Sequence, residues 1–318
     1  MNLGRDMLLG IAIGDALGLP VEFKDRQYLQ AKPVLDMQEY GTHNQPKGTW
    51  SDDSSLSFCL AESLATNGYD LKDISQNILD WFNKGVWTPH GKVFDIGGQT
   101  RNAIDELTAV FKRKTFDLLK DRHNTNEYSN GNGALMRILP IALETVDLPP
   151  KKKVAVIKEV VGLTHGHIRS TMACLIYVLF AEQLIEGKDK WEAYLNTKQL
   201  CRHYFSRFQF PLQEQQCFAR ILDFNIGGLG ESAIQSDGYV VHSLETCFWC
   251  LFNSNNFPDA VLAAVNLGGD TDTNGALTGG LAGLFYGVEQ IPDDWKSALV
   301  KRDEIEKLAD RLFYRYYE

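Results

Sequence analysis

The chain has 318 residues, 44% apolar and 23% charged, with a formal net charge of −9. That is ample for a buried core, matches a soluble globular protein, and has the wrong sign for a general binder of nucleic acid or anionic membrane. Apolar runs stop short of the roughly 18 residues a membrane helix needs, the N-terminus lacks the basic region of a signal peptide, and six scattered cysteines read as reduced thiols, so a cytoplasmic protein is expected. Apolar residues at i, i+3 and i+4 predict helices over 5–18, 53–67, 71–84, 99–113, 133–145, 152–163, 168–186, 242–253, 257–266, 272–287 and 301–316. Asp53 or Ser54, Asp70 and Pro258 supply start signals. Gly238–Val241 is the one candidate extended run, and 187–237 is the least patterned stretch. No repeat of 33–47 residues is visible. The pattern predicts an all-α single domain over 1–318.

Glycine recurs at every fourth position in two stripes, Gly10, Gly14, Gly18 and Gly275, Gly279, Gly283, Gly287. Each glycine costs a helix about 1 kcal/mol relative to alanine, so close packing of two central helices is expected to compensate.

Two acidic clusters stand at predicted helix starts. GTWSDDSSLSFCLAESL (48–64) carries Ser51, Asp52 and Asp53; LGGDTDTNGALTGGLAGLFYG (267–287) carries Asp270, Asp272 and Thr273. Two residues apart on a regular helix, Asp270 and Asp272 would diverge by about 200°. Gly268-Gly269 therefore predict a loop that turns into a helix around Thr271–Thr273, with irregular backbone that lets these groups converge. Either cluster alone reads equally well as an N-cap with a first-turn acid. Two together favour a metal site, and all-oxygen donors suit Mg²⁺, Mn²⁺ or Ca²⁺ rather than zinc.

Asp95, in VFDIGGQTRNAI (93–104), precedes another helix; spacing alone favours an N-cap, with a general base as the chemical alternative. In EYSNGNGALMRILP (127–140) a Gly/Asn loop runs into a helix, where backbone N–H groups can cradle a phosphate; an ordinary turn fits the pattern equally. His165 and His167 of THGH lack the context of a zinc site. Cys247 and Cys250, spaced i and i+3, face a core. The GxGxxA at 228–233 has no βαβ unit around it.

Taken together, GDALGLPVEF (14–23), the two acidic stretches, VFDIGGQTR (93–101), NGNGALMRILPIAL (130–143), LTHGH (163–167) and GYVVHSLETCFW (238–249) resemble the ADP-ribosylglycohydrolases in order and nearly end to end. The likeness is greatest to the bacterial branch that includes dinitrogenase reductase-activating glycohydrolase. The resemblance implies a compact orthogonal helical bundle and a metal-dependent hydrolase that removes ADP-ribose from a modified protein side chain, arginine first. It implies two Mg²⁺ or Mn²⁺ ions held by Ser51, Asp52, Asp53, Asp270, Asp272 and Thr273. Asp95 is implied at the scissile bond, Glu22 near the metals, and Ser129, Asn130, Gly131, Asn132, Gly133 and His165 against the phosphates and ribose. The expected partners are an ADP-ribosylated protein and the product ADP-ribose, with no membrane or nucleic acid, and the chain is expected to be a monomer.

Three departures stand out. Ser51 replaces the family's usual Thr and keeps the hydroxyl, Leu56 replaces a frequent Met, and Gly98-Gln99 follow DIG where Asn is common. Two other readings compete with arginine hydrolysis: a hydrolase of a different ADP-ribose linkage, or an ADP-ribose-binding or toxin-neutralising immunity module that acts by contact.

Overall fold

A computed structural model describes residues 2–120, 122, 123 and 126–317. Sixteen α-helices are found among them: α1 (Leu3–Gly18), α2 (Arg26–Ala31), α3 (Asp52–Asn67), α4 (Leu71–Lys84), α5 (Gly98–Arg113), α6 (Ile141–Thr145), α7 (Pro150–Gly162), α8 (Ile168–Ile185), α9 (Lys190–Arg207), α10 (Leu212–Gln216), α11 (Ala219–Leu222), α12 (Val240–Phe252), α13 (Phe257–Asn266), α14 (Thr271–Tyr286), α15 (Asp293–Ala298) and α16 (Arg302–Tyr317). Among the described residues no strand forms; Tyr40–Gln45 and Gly131–Tyr239 are isolated bridges. Tyr239 alone realises the extended run expected at 238–241, because α12 begins at Val240.

The glycine stripes meet as expected. α1 and α14 run antiparallel, and a Cβ on Gly14 would lie 2.0 Å from the Gly275 carbonyl oxygen, while one on Gly10 would lie 2.2 Å from that of Gly279. No larger residue fits this backbone-to-backbone approach. α13, α12, α3, α8 and α16 pack around the pair. The antiparallel arrangement sets the end of α1 against the start of α14, where Thr271 Oγ1 donates to the Gly18 carbonyl at 2.7 Å.

Several expectations are corrected. The helix over 133–145 is interrupted: a short 3-10 turn spans Asn132–Ala134, and α6 starts only after Pro140, whose ring and missing N–H stop a helix from running through it. The cap of α3 is Ser51, whose Oγ accepts from Asp53 N at 3.2 Å, rather than Asp53 or Ser54. Asp70 does cap α4, accepting from Lys72 N and Asp73 N.

The weakly patterned stretch contains the 18-residue α9. Its buried face is Ala193, Tyr194, Thr197, Cys201, Tyr204 and Phe205, a helical spacing built from aromatic and small residues instead of aliphatic ones. Helix α8 is also long and apolar enough to cross a membrane, contrary to the run-length expectation. Its 18-residue window is 83% buried inside the protein, so its apolar character is that of a core helix. Cys247 and Cys250 are buried, and the six cysteines are free thiols.

Candidate active site

Six segments converge on one cavity of about 460 Å³: the turn after α1, the N-terminus of α3, the loop before α5, the loop before α6, the loop before α8, and the N-terminus of α14. The cavity is lined by Glu22, Asp52, Asp53, Asp95, Asp270 and Asp272, together with Thr273, Gly131, Asn132, Gly133 and His165. The free N–H groups and aligned dipoles of α3, α5 and α14 direct positive potential into it.

The glycine pair before α14 explains how the acids come together. Gly268 and Gly269 both adopt φ +77, and a Cβ on either would strike backbone, at Arg26 N (2.8 Å) and the Ser236 carbonyl oxygen (2.5 Å). This tight passage lets Phe23 N donate to the Gly269 carbonyl at 2.7 Å and Gly269 N donate to the Lys24 carbonyl at 2.8 Å. Glu22 is thereby anchored beside the start of α14. Ligand oxygens of Glu22, Asp270 and Asp272 lie within 4.8 Å of one another, as do ligand atoms of Glu22, His43 and Asp95, so Glu22 belongs to both groups.

The backbone around Asp270 differs from expectation. α14 is regular from Thr271 onward, and Asp270 precedes it at φ −87, ψ 76. Asp270 and Asp272 face one target because Asp270 has left the helix, not because residues 271–273 are irregular.

Each acid has a defined second contact. Asn132 Nδ2 donates to Asp270 Oδ2 at 2.7 Å and to Ser243 Oγ at 2.9 Å. Ser51 Oγ donates to Asp53 Oδ2 at 3.0 Å, and Thr273 Oγ1 reaches the same oxygen at 3.3 Å. Asp15, unanticipated as a site residue although it stands in GDALG, is fully buried and accepts from Ser51 N, Ser54 N and Ser54 Oγ. It clamps the first turn of α3. His43, also missed, bonds Glu22 Oε2 through Nε2; nothing in the local pattern of GTHNQPKG distinguishes it.

Burial and mutual repulsion push Asp52, Asp53 and Asp272 far above the usual carboxylate range. Burial raises Asp95 as well, and raises Asp15 to about 6 and Glu22 to about 7. His43 moves upward, chiefly through its bond to Glu22. Such crowding is costly without a compensating cation. Asp53 Oδ1 and Asp272 Oδ2 are buried with no hydrogen-bond partner, and carboxylate oxygens in that state are hard donors suited to a cation. The residues present fit a divalent ion held by oxygen donors.

The loop residues divide. Gly131, Asn132 and Gly133 line the cavity. Asn130 turns its amide inward, donating to the Glu127 carbonyl at 2.8 Å. Ser129 lines a neighbouring groove with Gln99, Tyr128 and Thr164. Gln99, at the departure after DIG, donates weakly to the Ser129 and Thr164 carbonyls at 3.4 and 3.3 Å, tying α5 to this loop. Asp95 sits in the left-handed region at φ 50, an unfavourable conformation of the kind retained at functional sites. His165 faces the cavity while His167 caps α8, accepting from Arg169 N, so the two histidines do not form a metal pair.

A family model described as ADP-ribosylglycohydrolase matches residues 3–318. The chain is similar to the ADP-ribosylarginine hydrolase Tri1 of Serratia proteamaculans (strain 568), with 32% identity over 99% of this chain and 80% of that protein. It is similar to the ADP-ribosyl-[dinitrogen reductase] glycohydrolase of Rhodospirillum rubrum, with 31% identity over 96% of this chain and 93% of that protein. A solved ADP-ribosylglycohydrolase-related protein complex superposes with a TM-score of 0.78 at 28% identity, covering 99% of this chain and 98% of that one.

Proposed function

Because the chain belongs to the ADP-ribosylglycohydrolase family, we propose that it hydrolyses the bond between ADP-ribose and a modified arginine side chain, with two Mg²⁺ or Mn²⁺ ions as cofactors. The observation that carries this reading is the ring of six carboxylates facing one cavity beside a glycine loop, with buried oxygens on Asp53 and Asp272 left unpartnered. The arginine preference draws on the similar Tri1 hydrolase.

Asp52, Asp53, Asp270 and Asp272 would hold the ions, with the Ser51 and Thr273 hydroxyls beside them. Divalent ions bound there would supply charge compensation and Lewis-acid polarisation of the substrate. The backbone N–H groups of Gly131 and Gly133 and the imidazole of His165 bind the diphosphate, while Asn132 gives its own N–H to the Gly238 carbonyl and orients Asp270 through its side chain. Cleavage passes through an oxocarbenium-like state at the ribose C1″, which the surrounding carboxylates stabilise. Asp95 accepts the proton of the attacking water. Glu22 holds a proton, shared with His43, and delivers it to the leaving guanidine nitrogen. In the metal-free site burial, chiefly, raises the Glu22 pKa to about 7, the direction a proton donor needs. The protein acts as a cytoplasmic monomer on an ADP-ribosylated protein and releases ADP-ribose.

The test is release of ADP-ribose from an arginine-ADP-ribosylated protein, with and without EDTA, beside serine- and ester-linked substrates. Release from the arginine substrate that stops with EDTA and returns with Mn²⁺ or Mg²⁺ is expected. Binding of ADP-ribose with no turnover on any linkage would instead establish a contact-acting module.

A further inference from the structure

We propose that Arg137 and Thr164 are positioning residues for ligand recognition: the chain Arg137–Thr164–His165 fixes His165 as the Nε2–H tautomer and backs it with a buried positive charge that the ligand's diphosphate balances. The proposal rests on the reading of the 131–133 loop and His165 as the diphosphate site.

Arg137 is 1% exposed. Its Nη2 donates to the Val160 carbonyl at 3.0 Å and to Thr164 Oγ1 at 2.9 Å, while Nε and Nη1 have no partner. Among the described residues no carboxylate pairs with it, and the titratable groups that act on it are the thiols of Cys174 and Cys59. A buried cation without a counter-charge is costly. Burial lowers its pKa to about 10, which leaves it protonated at neutral pH.

The tautomer follows from donor and acceptor counting. A guanidinium only donates, so Thr164 Oγ1 accepts from Arg137. The hydroxyl has one proton, and His165 Nδ1 lies 2.9 Å away. With a proton already on Nδ1, the buried hydroxyl proton would lose this acceptor and be left unsatisfied, which is costly. Nδ1 therefore accepts, and Nε2 bears the hydrogen.

Nε2 points at the glycine loop: a Cβ on Gly133 would lie 3.2 Å from it, and one on Gly131 3.7 Å. Burial, with the Arg137 charge behind it, drives the His165 pKa down to about 3. The ring is a neutral donor throughout the physiological range, and the fixed charge lies one hydroxyl behind it. The cradle thus selects a diphosphate through a directed N–H and a long-range field, with no group at the ligand that titrates.

Long-range ¹H–¹⁵N spectra of histidine-labelled, ligand-free protein read the tautomer, and calorimetric titration with ADP-ribose reads affinity. Wild type is expected to show His165 as pure Nε2–H. Thr164→Val is expected to lose the pure tautomer and bind ADP-ribose about tenfold more weakly, and Thr164→Ser to restore both. A purely structural Thr164 would lower thermal stability and leave the tautomer unmoved. An Nδ1–H spectrum in wild type, or an unchanged spectrum and affinity in Thr164→Val, overturns the proposal. Wild type with the Nε2–H tautomer and no affinity for ADP-ribose would instead overturn the diphosphate reading, and with it the ligand half of the proposal. The Thr164 variants carry the test because Arg137→Met leaves a large buried site reshaped and is the variant at risk of not folding.

Discussion

Thr273 Oγ1 lies 3.3 Å from Asp53 Oδ2 across 220 positions of sequence. That contact joins the first turns of α3 and α14 and makes the two acidic clusters one site. If the site is a metal centre, Asp53→Asn and Asp272→Asn should each abolish the rise in melting temperature caused by Mn²⁺ in the wild type. ADP-ribose release should fall by about two to four orders of magnitude. Differential scanning calorimetry with and without the ion checks the first outcome. Wild-type-like activity in both variants would sink the metal assignment.

A second prediction concerns pH in EDTA-treated protein. Asp15 and Glu22 have folded pKa values of about 6 and about 7, above the roughly 4 of an unfolded carboxyl. The folded state then binds more protons, and stability falls as pH rises. The contribution is fully present below about pH 4 and is lost as pH passes through 6 to 7. The melting temperature of the metal-free protein should drop between pH 5 and pH 8, and added Mn²⁺ should raise it more at pH 8. A metal-free protein more stable at pH 8 would contradict the buried-acid account.

Asp95→Asn separates chemistry from ion binding. Loss of the general base should lower kcat by about 10²–10⁴, with the Mn²⁺-induced rise in melting temperature intact. Glu22→Gln should also lower kcat, most for the arginine substrate, whose leaving group needs a proton. Equal loss on an ester-linked substrate would argue against the donor role.

Gly14→Val tests the helix pair that sets the site. A Cβ there meets the Gly275 carbonyl oxygen at 2.0 Å and its carbon at 2.4 Å, all of it backbone that cannot swing aside. A loss of about 3 kcal/mol or more is expected, read as a lower urea midpoint. A neutral effect would show that α1 and α14 separate easily.

Most long helices were legible because their apolar spacing is strong, and Asp70 of α4 shows that a side-chain cap can be read directly. Helix α9 was not, because Tyr194, Thr197, Cys201 and Tyr204 form its inner face and an aliphatic pattern is absent. The break before α6 was signalled by Pro140 but masked by apolar residues on both sides. Asp15 and His43 escaped as site residues for a different reason: each acts through a partner distant in sequence, Ser51 and Ser54 for one and Glu22 for the other.

The sequence by itself determined the helical class, the two glycine stripes and the residue types of an oxygen-rich site, since these depend on local spacing and side-chain chemistry. Only the tertiary structure decided that Asp270 steps out of the helix that carries Asp272, that Glu22 joins both acid groups, and that an unpaired Arg137 stands behind His165. Those relations depend on where α1, α3, α8 and α14 cross, and crossing is set by the packing of whole helices, which no local pattern contains.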